Sequence, residues 1–162
     1  MTLRDATELD LPAIVEIHNA AIASRISTAQ LNPLTVDERR RWFQAHSPGR
    51  HPLWVVELGG ALAGWLSFKD FLPRAAYRGT AELSVYVHES FRRRGVAKRL
   101  LEEAIMQAPK LGMQALVCLI FAQNEASVAL FRSAGFEQWG LLPGVARIDD
   151  QLRDLTIFGR RV

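Results

Sequence analysis

Between Thr80 and Ile120 the sequence runs from an alternating stretch, through a basic glycine-containing loop and an amphipathic segment, into the continuous apolar run "QALVCLI". This succession constrains the fold more than any other feature. A strand that is apolar throughout must be covered on both faces, which marks a parallel strand reached by a crossover helix. In "TAELSVYV", Ala81, Leu83, Val85 and Val87 alternate with Thr80, Glu82, Ser84 and Tyr86, so the two faces of that strand carry different chemistry. A helix is predicted from about Val96 to Gln107, with Pro109 and Gly112 ending it. The basic loop therefore lies at the carboxyl end of a strand and the start of a crossover helix. Sheets with such crossovers place ligand sites there, and backbone N–H groups at a helix start bind phosphate.

The charge of that loop points the same way. Arg92, Arg93, Arg94, Lys98 and Arg99 are five of the 20 basic residues, and no acid lies between Glu89 and Glu102. Cations at a helix N-terminus oppose its dipole at a cost of about 0.3–1 kcal/mol each. The conflict disappears if an anion sits at that end. A net charge of +3 is otherwise mild, and the cluster is confined to one loop without interleaved aromatics, which argues against a nucleic-acid surface.

The rest of the chain supplies further elements. "TLRDA" reads as a first strand. A helix follows from Asp10, the expected N-cap, with Pro12 in its first turn and Leu11, Ile14, Val15, His18 and Ile22 on one face. Thr35-Val36-Asp37-Glu38 matches a capping box, so a second helix should run through Arg41 to about His46, where "SPGRHP" stops it. "LWVVEL" and "ALAGWLSF", joined by Gly59-Gly60, read as an antiparallel hairpin. "EASVALFRSA" is a short helix ending at Gly135, and "FEQWGLL" and "LRDLTIFGRR" are two closing strands.

At 162 residues, 49% hydrophobic and 23% charged, the chain suits a single globular domain spanning residues 1–162. Its apolar runs are far shorter than a membrane span and "MTLRDATELD" is too acidic for a signal peptide, so a cytoplasmic protein is expected. Cys118, the one cysteine, sits inside an apolar run and reads as a buried small residue rather than a nucleophile. Four histidines without clustered cysteine offer no metal-ligand spacing, so no metal is expected.

Two motifs carry a resemblance. Arg92-Arg93-Arg94-Gly95-Val96-Ala97 fits the arginine-or-glutamine, x, x, glycine, x, glycine-or-alanine signature of the GCN5-related N-acetyltransferases. "NEASVALFRSAGF", Asn124 to Phe136, falls where that family places an asparagine and a short helix ending in Gly-Phe. The order of elements is similar over nearly the whole chain. Within the family, "TAELSVYVHESFRRRGVAKRLL" looks most like the phosphinothricin and methionine-sulfoximine acetyltransferase branch. The resemblance implies an α/β (α+β) fold with a mixed, mostly antiparallel twisted sheet of about seven strands, about four flanking helices and a β-α-β core that binds acetyl-CoA.

The resemblance also implies roles. The anion would be the pyrophosphate of acetyl-CoA, held by N–H groups from Arg93 through Arg94, Gly95, Val96 and Ala97. Lys98 and Arg99 would reach a phosphate or belong to a solvated face, and Arg92 would bind or pack. Val85, Tyr86 and Val87 would present main-chain groups to pantetheine, with the Val87 N–H polarising the thioester carbonyl. Asn124, with Ser127 and Phe131 nearby, would bond the pantetheine amide or cap its own helix. Direct transfer needs a neutral amine and hence a general base. Glu82 fills that role in the branch it resembles, where a partly buried carboxylate would have a raised pKa; otherwise it is a solvated sheet-face carboxylate.

Asn19, Thr28, Arg74, Tyr77 and Arg78 are the substrate-site candidates, an arginine suiting a carboxylate or phosphinate. His18 reads as a core histidine and His88 as exposed. Two departures stand out. Phe131 occupies the position where many relatives carry a tyrosine that protonates the departing thiolate, so solvent or an ordered water would supply that proton, with Tyr86 a weaker candidate. The C-terminal "GVARIDDQLRDL" keeps only Asp154-Leu155 of the branch pattern. The expectation is an acetyl-CoA-dependent N-acetyltransferase acting on a small-molecule amine, in a homodimer. Peptide acetylation and non-catalytic acyl-CoA sensing are the alternatives.

Overall fold

In a computed structural model that describes residues 1–162, the elements follow one another as β1 (Thr2–Asp5), α1 (Leu11–Ala23), α2 (Val36–Gln44), β2 (Leu53–Leu58), β3 (Ala61–Asp70), β4 (Thr80–Val87), α3 (Val96–Gln107), β5 (Ala115–Phe121), α4 (Glu125–Ser133), β6 (Glu137–Ile148) and β7 (Gln151–Arg161). They form one sheet in the order β1-β2-β3-β4-β5-β7-β6. Every pairing is antiparallel except β4 with β5, the crossover that the apolar run demands.

That parallel pairing is short. It covers only Thr80 with Ala115, Ala81 with Leu116 and Glu82 with Val117, after which the two strands part. Beyond this point β4 stays paired with β3 as far as Val87, and β5 with β7 as far as Phe121. The sheet is thus two halves hinged at one end and open at the other.

Strand alternation gives each face its own core. Leu66, Phe68, Leu83 and Phe158 pack with Val96, Leu100, Leu101 and Ala104 of α3. On the opposite face Leu53, Val55 and Trp65 meet Ile14 and Ile17 of α1, with Trp42 and Phe43 of α2 against them. All five residues predicted for the inner face of α1 are buried.

Local signals decide most boundaries. Thr35 Oγ1 accepts from Glu38 N at 3.2 Å while the Glu38 carboxylate accepts from Thr35 N at 2.7 Å, so the capping box forms as read. Thr35→Ala should lower Tm by about 2–4 °C in thermal denaturation, the expected loss for one cap in a domain of this size. Asp10, by contrast, does not cap α1. Its carboxylate accepts from Thr7 N at 2.7 Å and from Arg4 Nη1 at 2.8 Å, and Arg4 also reaches Glu57. A guanidinium fixed on β1 outcompetes the neutral helix amides for that carboxylate, and it holds Asp10 below the usual carboxylate range.

Candidate active site

Where β4 and β5 part, the structure forms a cleft of about 640 Å³ with Val85, Tyr86 and Val87 along one wall and Asn124, Ser127 and Leu130 along the other. The free edge of β4 follows from its pairing on the other side. His88 N donates to Ala63 O at 2.9 Å and Phe71 N donates to Thr80 O, so the even-numbered residues of β4 direct their main-chain groups at β3. Val85 and Val87 therefore point theirs toward β5, which is no longer there to receive them. The opening leaves sheet amides unpartnered inside a cavity.

The basic loop closes one end. Arg93 and Gly95 both adopt left-handed backbone, φ 58 and 80, and the first helical bond runs from Arg99 N to Gly95 O at 2.9 Å. The amides ahead of it have no intrahelical acceptor and face a common concavity, an arrangement that binds anions. A Cβ built at Gly95 would meet nothing within 4 Å, so glycine is needed there for its conformation rather than for room. Arg92, Arg93, Gly95, Val96 and Ala97 all line the cleft.

Two cations of the cluster are compensated, contrary to the sequence reading. Arg99 Nη1 lies 2.8 Å from Glu103 and Lys98 Nζ 3.8 Å from Glu102, each one turn further along α3. Lys98 lines a separate depression beside Arg160. The charge without a carboxylate partner is that of Arg92, Arg93 and Arg94, the last stacked 5.6 Å from the Phe91 ring centroid.

Glu82, 9% exposed, sits in a narrower recess of about 60 Å³ that adjoins the cleft and shares Ser27, Val85, Tyr86, Asn124 and Ser127 with it. The expected carboxylate among apolar neighbours is in fact paired: Lys69 Nζ, directly across on β3, lies 3.0 Å from Oε1. Cys118 and Phe131 complete the recess. Burial pushes the Cys118 thiol up, which keeps it protonated and inert as expected. Phe131 packs edge-on against Phe136 with centroids 5.0 Å apart.

Asn124 caps α4, its Oδ1 accepting from Ser127 N at 3.2 Å. That bond uses the carbonyl end alone, so Nδ2 stays available to the cleft and the two roles read for this residue are compatible. Tyr86 lies between Trp65, at 4.7 Å, and His18, at 5.2 Å, whereas Thr28 Oγ1 accepts from Gln30 N at 3.2 Å within its own loop and lines neither cavity. Burial raises the phenol's pKa and lowers that of His18 to about 4, so both are neutral near pH 7.

The remaining candidates scatter. Asn19 spends both ends of its amide on Leu34, donating to its O and accepting from its N at 2.9 Å each, so it pins the α1–α2 loop instead of facing the cleft. Arg74 and Arg78 lie in another shallow depression with the ion pair of Arg50 and Asp70, and Tyr77 meets Phe71 edge-on. None of these three lines the cleft. His88 is half-buried rather than exposed, its Nδ1 accepting from Ser90 N at 3.2 Å in the turn after β4. The sequence reading missed Ile17, Ala21, Ser24, Ile26 and Ser27, which form the cleft's outer wall. Ile17 and Ala21 belong to the apolar face of α1, but the loop residues carry no such signal.

Comparison with known proteins agrees with this geometry. Residues 15–136 match the model of the Acetyltransferase (GNAT) family. YwnH of Bacillus subtilis strain 168, provisionally named a phosphinothricin acetyltransferase, is 46% identical over 100% of this chain and 99% of its own. An L-methionine sulfoximine/L-methionine sulfone acetyltransferase of Pseudomonas paraeruginosa is 34% identical over 96% of this chain and 91% of its own. The crystal structure of a phosphinothricin acetyltransferase from Sinorhizobium meliloti in complex with acetyl-CoA superposes with a TM-score of 0.93 at 29% identity, covering 99% of this chain and 88% of that one. The chain belongs to the GNAT acetyltransferase family, and it is an acetyltransferase with that family's seven-stranded mixed sheet.

Proposed function

We propose that the cleft binds acetyl-CoA and that the enzyme moves the acetyl group directly to the primary amine of a small molecule, an amino acid or an analogue such as phosphinothricin or methionine sulfoximine. The observation that carries this reading is the open edge of β4, with the Val85 and Val87 amides free beside a left-handed basic loop. Bound acetyl-CoA supplies an activated acyl group as a thioester. The amides from Arg93 to Ala97, with Arg92 and Arg93 at the cleft, hold its pyrophosphate. The Asn124 Nδ2 and the Val85 main chain bond the pantetheine arm, and the Val87 N–H is aimed at the carbonyl oxygen, where negative charge develops.

Glu82 takes the proton that frees the amine lone pair, directly or through one water, and Lys69 holds the carboxylate in place. Phe131 has no proton to give, so the departing thiolate, a fairly good leaving group, takes its proton from solvent. The α1–α2 loop supports a small acceptor rather than a peptide, because Ser24, Ile26 and Ser27 cover the cleft that a peptide would need open. No helix is long and apolar enough to cross a membrane, in keeping with a cytoplasmic enzyme. Trp139, Leu141, Leu142, Val145 and Leu152 stand exposed on the β6–β7 arm at the sheet's outer edge, a surface suited to a second copy in a homodimer.

The test is thiol release from acetyl-CoA across free amino acids, phosphinothricin, methionine sulfoximine, polyamines and short peptides. Turnover confined to amino acids or their analogues is the expected result. Preference for peptides, or acetyl-CoA binding without turnover on any amine, would overturn it.

A further inference from the structure

The amine nearest the base is the protein's own. Lys69 Nζ lies 3.0 Å from Glu82 Oε1, the separation at which a general base takes a proton from an acceptor amine. The two residues stand directly opposite each other in the β3–β4 register, so their side chains leave the same face of the sheet. Ser84 and Tyr86 alternate with Glu82 on that face and line the recess with it, and Tyr86 lines the cleft as well. Lys69 belongs to neither wall, and its ammonium meets the site through the Glu82 carboxylate.

This ammonium differs from an ordinary ion-pair partner in its freedom and in its chemistry. The Glu82 side chain is 11% exposed and that of Lys69 is 55% exposed, so the carboxylate is held while the flexible four-carbon stem can swing away and return. Only three of the 20 basic residues are lysine, namely Lys69, Lys98 and Lys110. Most ion pairs are built on arginine, those of Arg4, Arg25, Arg40, Arg50 and Arg99 among them. A guanidinium stays protonated, whereas a lysine that gives up a proton becomes a nucleophile. A chain that relies on arginine for its structural cations thus keeps an acylatable amine beside its base. The other two lysines are placed elsewhere: Lys98 faces Glu102 in a separate depression, and Lys110 follows the end of α3.

We propose that Lys69 is a self-acetylation site, modified by the enzyme's own acetyl-CoA when no acceptor amine is bound, an inference that rests on the acetyl-transfer reading of the cleft. Glu82 takes one proton from the Lys69 ammonium, and the freed lone pair attacks the thioester carbonyl carbon. The N–C bond forms and the C–S bond breaks. The nitrogen's second proton passes through solvent to the departing thiolate, which leaves an amide, CoA and a protonated Glu82 that releases its proton to solvent. Acetylation removes the charge that faces Glu82 and puts a bulkier neutral chain beside the base. The modified enzyme is a poorer catalyst, so a shortage of acceptor amine turns it down.

The experiment incubates the intact protein with acetyl-CoA alone and follows each lysine by peptide mass spectrometry. Lys69 gains an acetyl group, and Lys98 and Lys110 in the same sample report the uncatalysed background. Glu82→Gln slows the modification of Lys69 by about 10²-fold or down to that background, the loss expected for a general base. Transfer to the best free amine is then measured after the same incubation. In wild type it declines in step with acetyl-Lys69. In Lys69→Arg, which keeps a cation opposite Glu82 that cannot be acetylated in this way, it holds at that variant's own starting value. Modification of Lys69 no faster than that of Lys98 and Lys110, or equally fast in Glu82→Gln, overturns the inference, and the acetyl-transfer reading stands if free amines still turn over. Acetyl-CoA that transfers to neither Lys69 nor any free amine overturns that reading and the inference with it.

Discussion

Glu82→Gln lowers kcat/KM by about 10²–10⁴-fold and leaves acetyl-CoA affinity unchanged, the range expected for loss of a general base. The substitution keeps the shape of the side chain and an oxygen that can face Lys69, whose Nζ lies 3.0 Å from Glu82 Oε1, but an amide cannot take a proton from the amine. In the proposed binding mode acetyl-CoA would meet the Val85 and Val87 amides and the basic loop, none of which depends on the Glu82 charge. Titration of acetyl-CoA therefore separates loss of chemistry from loss of the fold. The control matters because Glu82 belongs to the three-residue register that hinges the sheet, so a misfolded variant would lose binding as well. Glu82→Asp, one methylene shorter, should retain a fraction of the rate through a bridging water. Activity of Glu82→Gln within tenfold of wild type would move the base elsewhere.

The sequence was most informative where structure is set by neighbours in the chain. Helix α3 spans Val96–Gln107 as read, because Gly95 before it and Pro109 and Gly112 after it are local stop signals. The capping box of Thr35 and the turn at Gly59-Gly60 are of the same kind. What escaped were relations between distant segments. The apolar run of β5 predicts burial throughout, yet Leu119 is 40% exposed, since it lies past the point where β4 leaves its side. Nothing in "VDERRRWFQ" distinguishes Arg39 from the two arginines that follow it. Yet Arg39 alone turns inward, its Cζ 3.6 Å from the Trp42 ring centroid and 5.9 Å from that of Trp65, where burial lowers its pKa to about 10. The pairing of Lys69 with Glu82 and of Arg25 with Asp149 likewise needs the sheet to exist first. The chemistry of the site was therefore legible as motifs, and the partners that hold its groups in place were not.

Gly64 is the residue through which the fold reaches the site, and Gly64→Val carries the second large effect. Its backbone is ordinary strand, so the demand for glycine is purely one of space. A Cβ there would stand 2.8 Å from Tyr86 O, 2.9 Å from Val96 Cγ1 and 3.3 Å from Val87 Cγ2. Val96 is the first residue of α3 and is 1% exposed, so the missing side chain is what lets the helix start settle onto the sheet beside Val87. Filling that space pushes the amides of the basic loop away from the β4 edge, with which they would share acetyl-CoA in the proposed binding mode. Overpacking of this kind costs about 1–3 kcal/mol of stability. A shift of the loop by an ångström raises the KM for acetyl-CoA by about tenfold to a hundredfold. Gly95→Ala is the informative contrast, because it meets no atom and acts only through its left-handed backbone. It should weaken acetyl-CoA binding with a smaller loss of Tm than Gly64→Val. Trimming the helix start with Val96→Ala in the Gly64→Val background removes the 2.9 Å clash but not the 2.8 Å one, so binding should return in part and stability less. Wild-type KM for acetyl-CoA in Gly64→Val would mean that the loop finds its place without this seat.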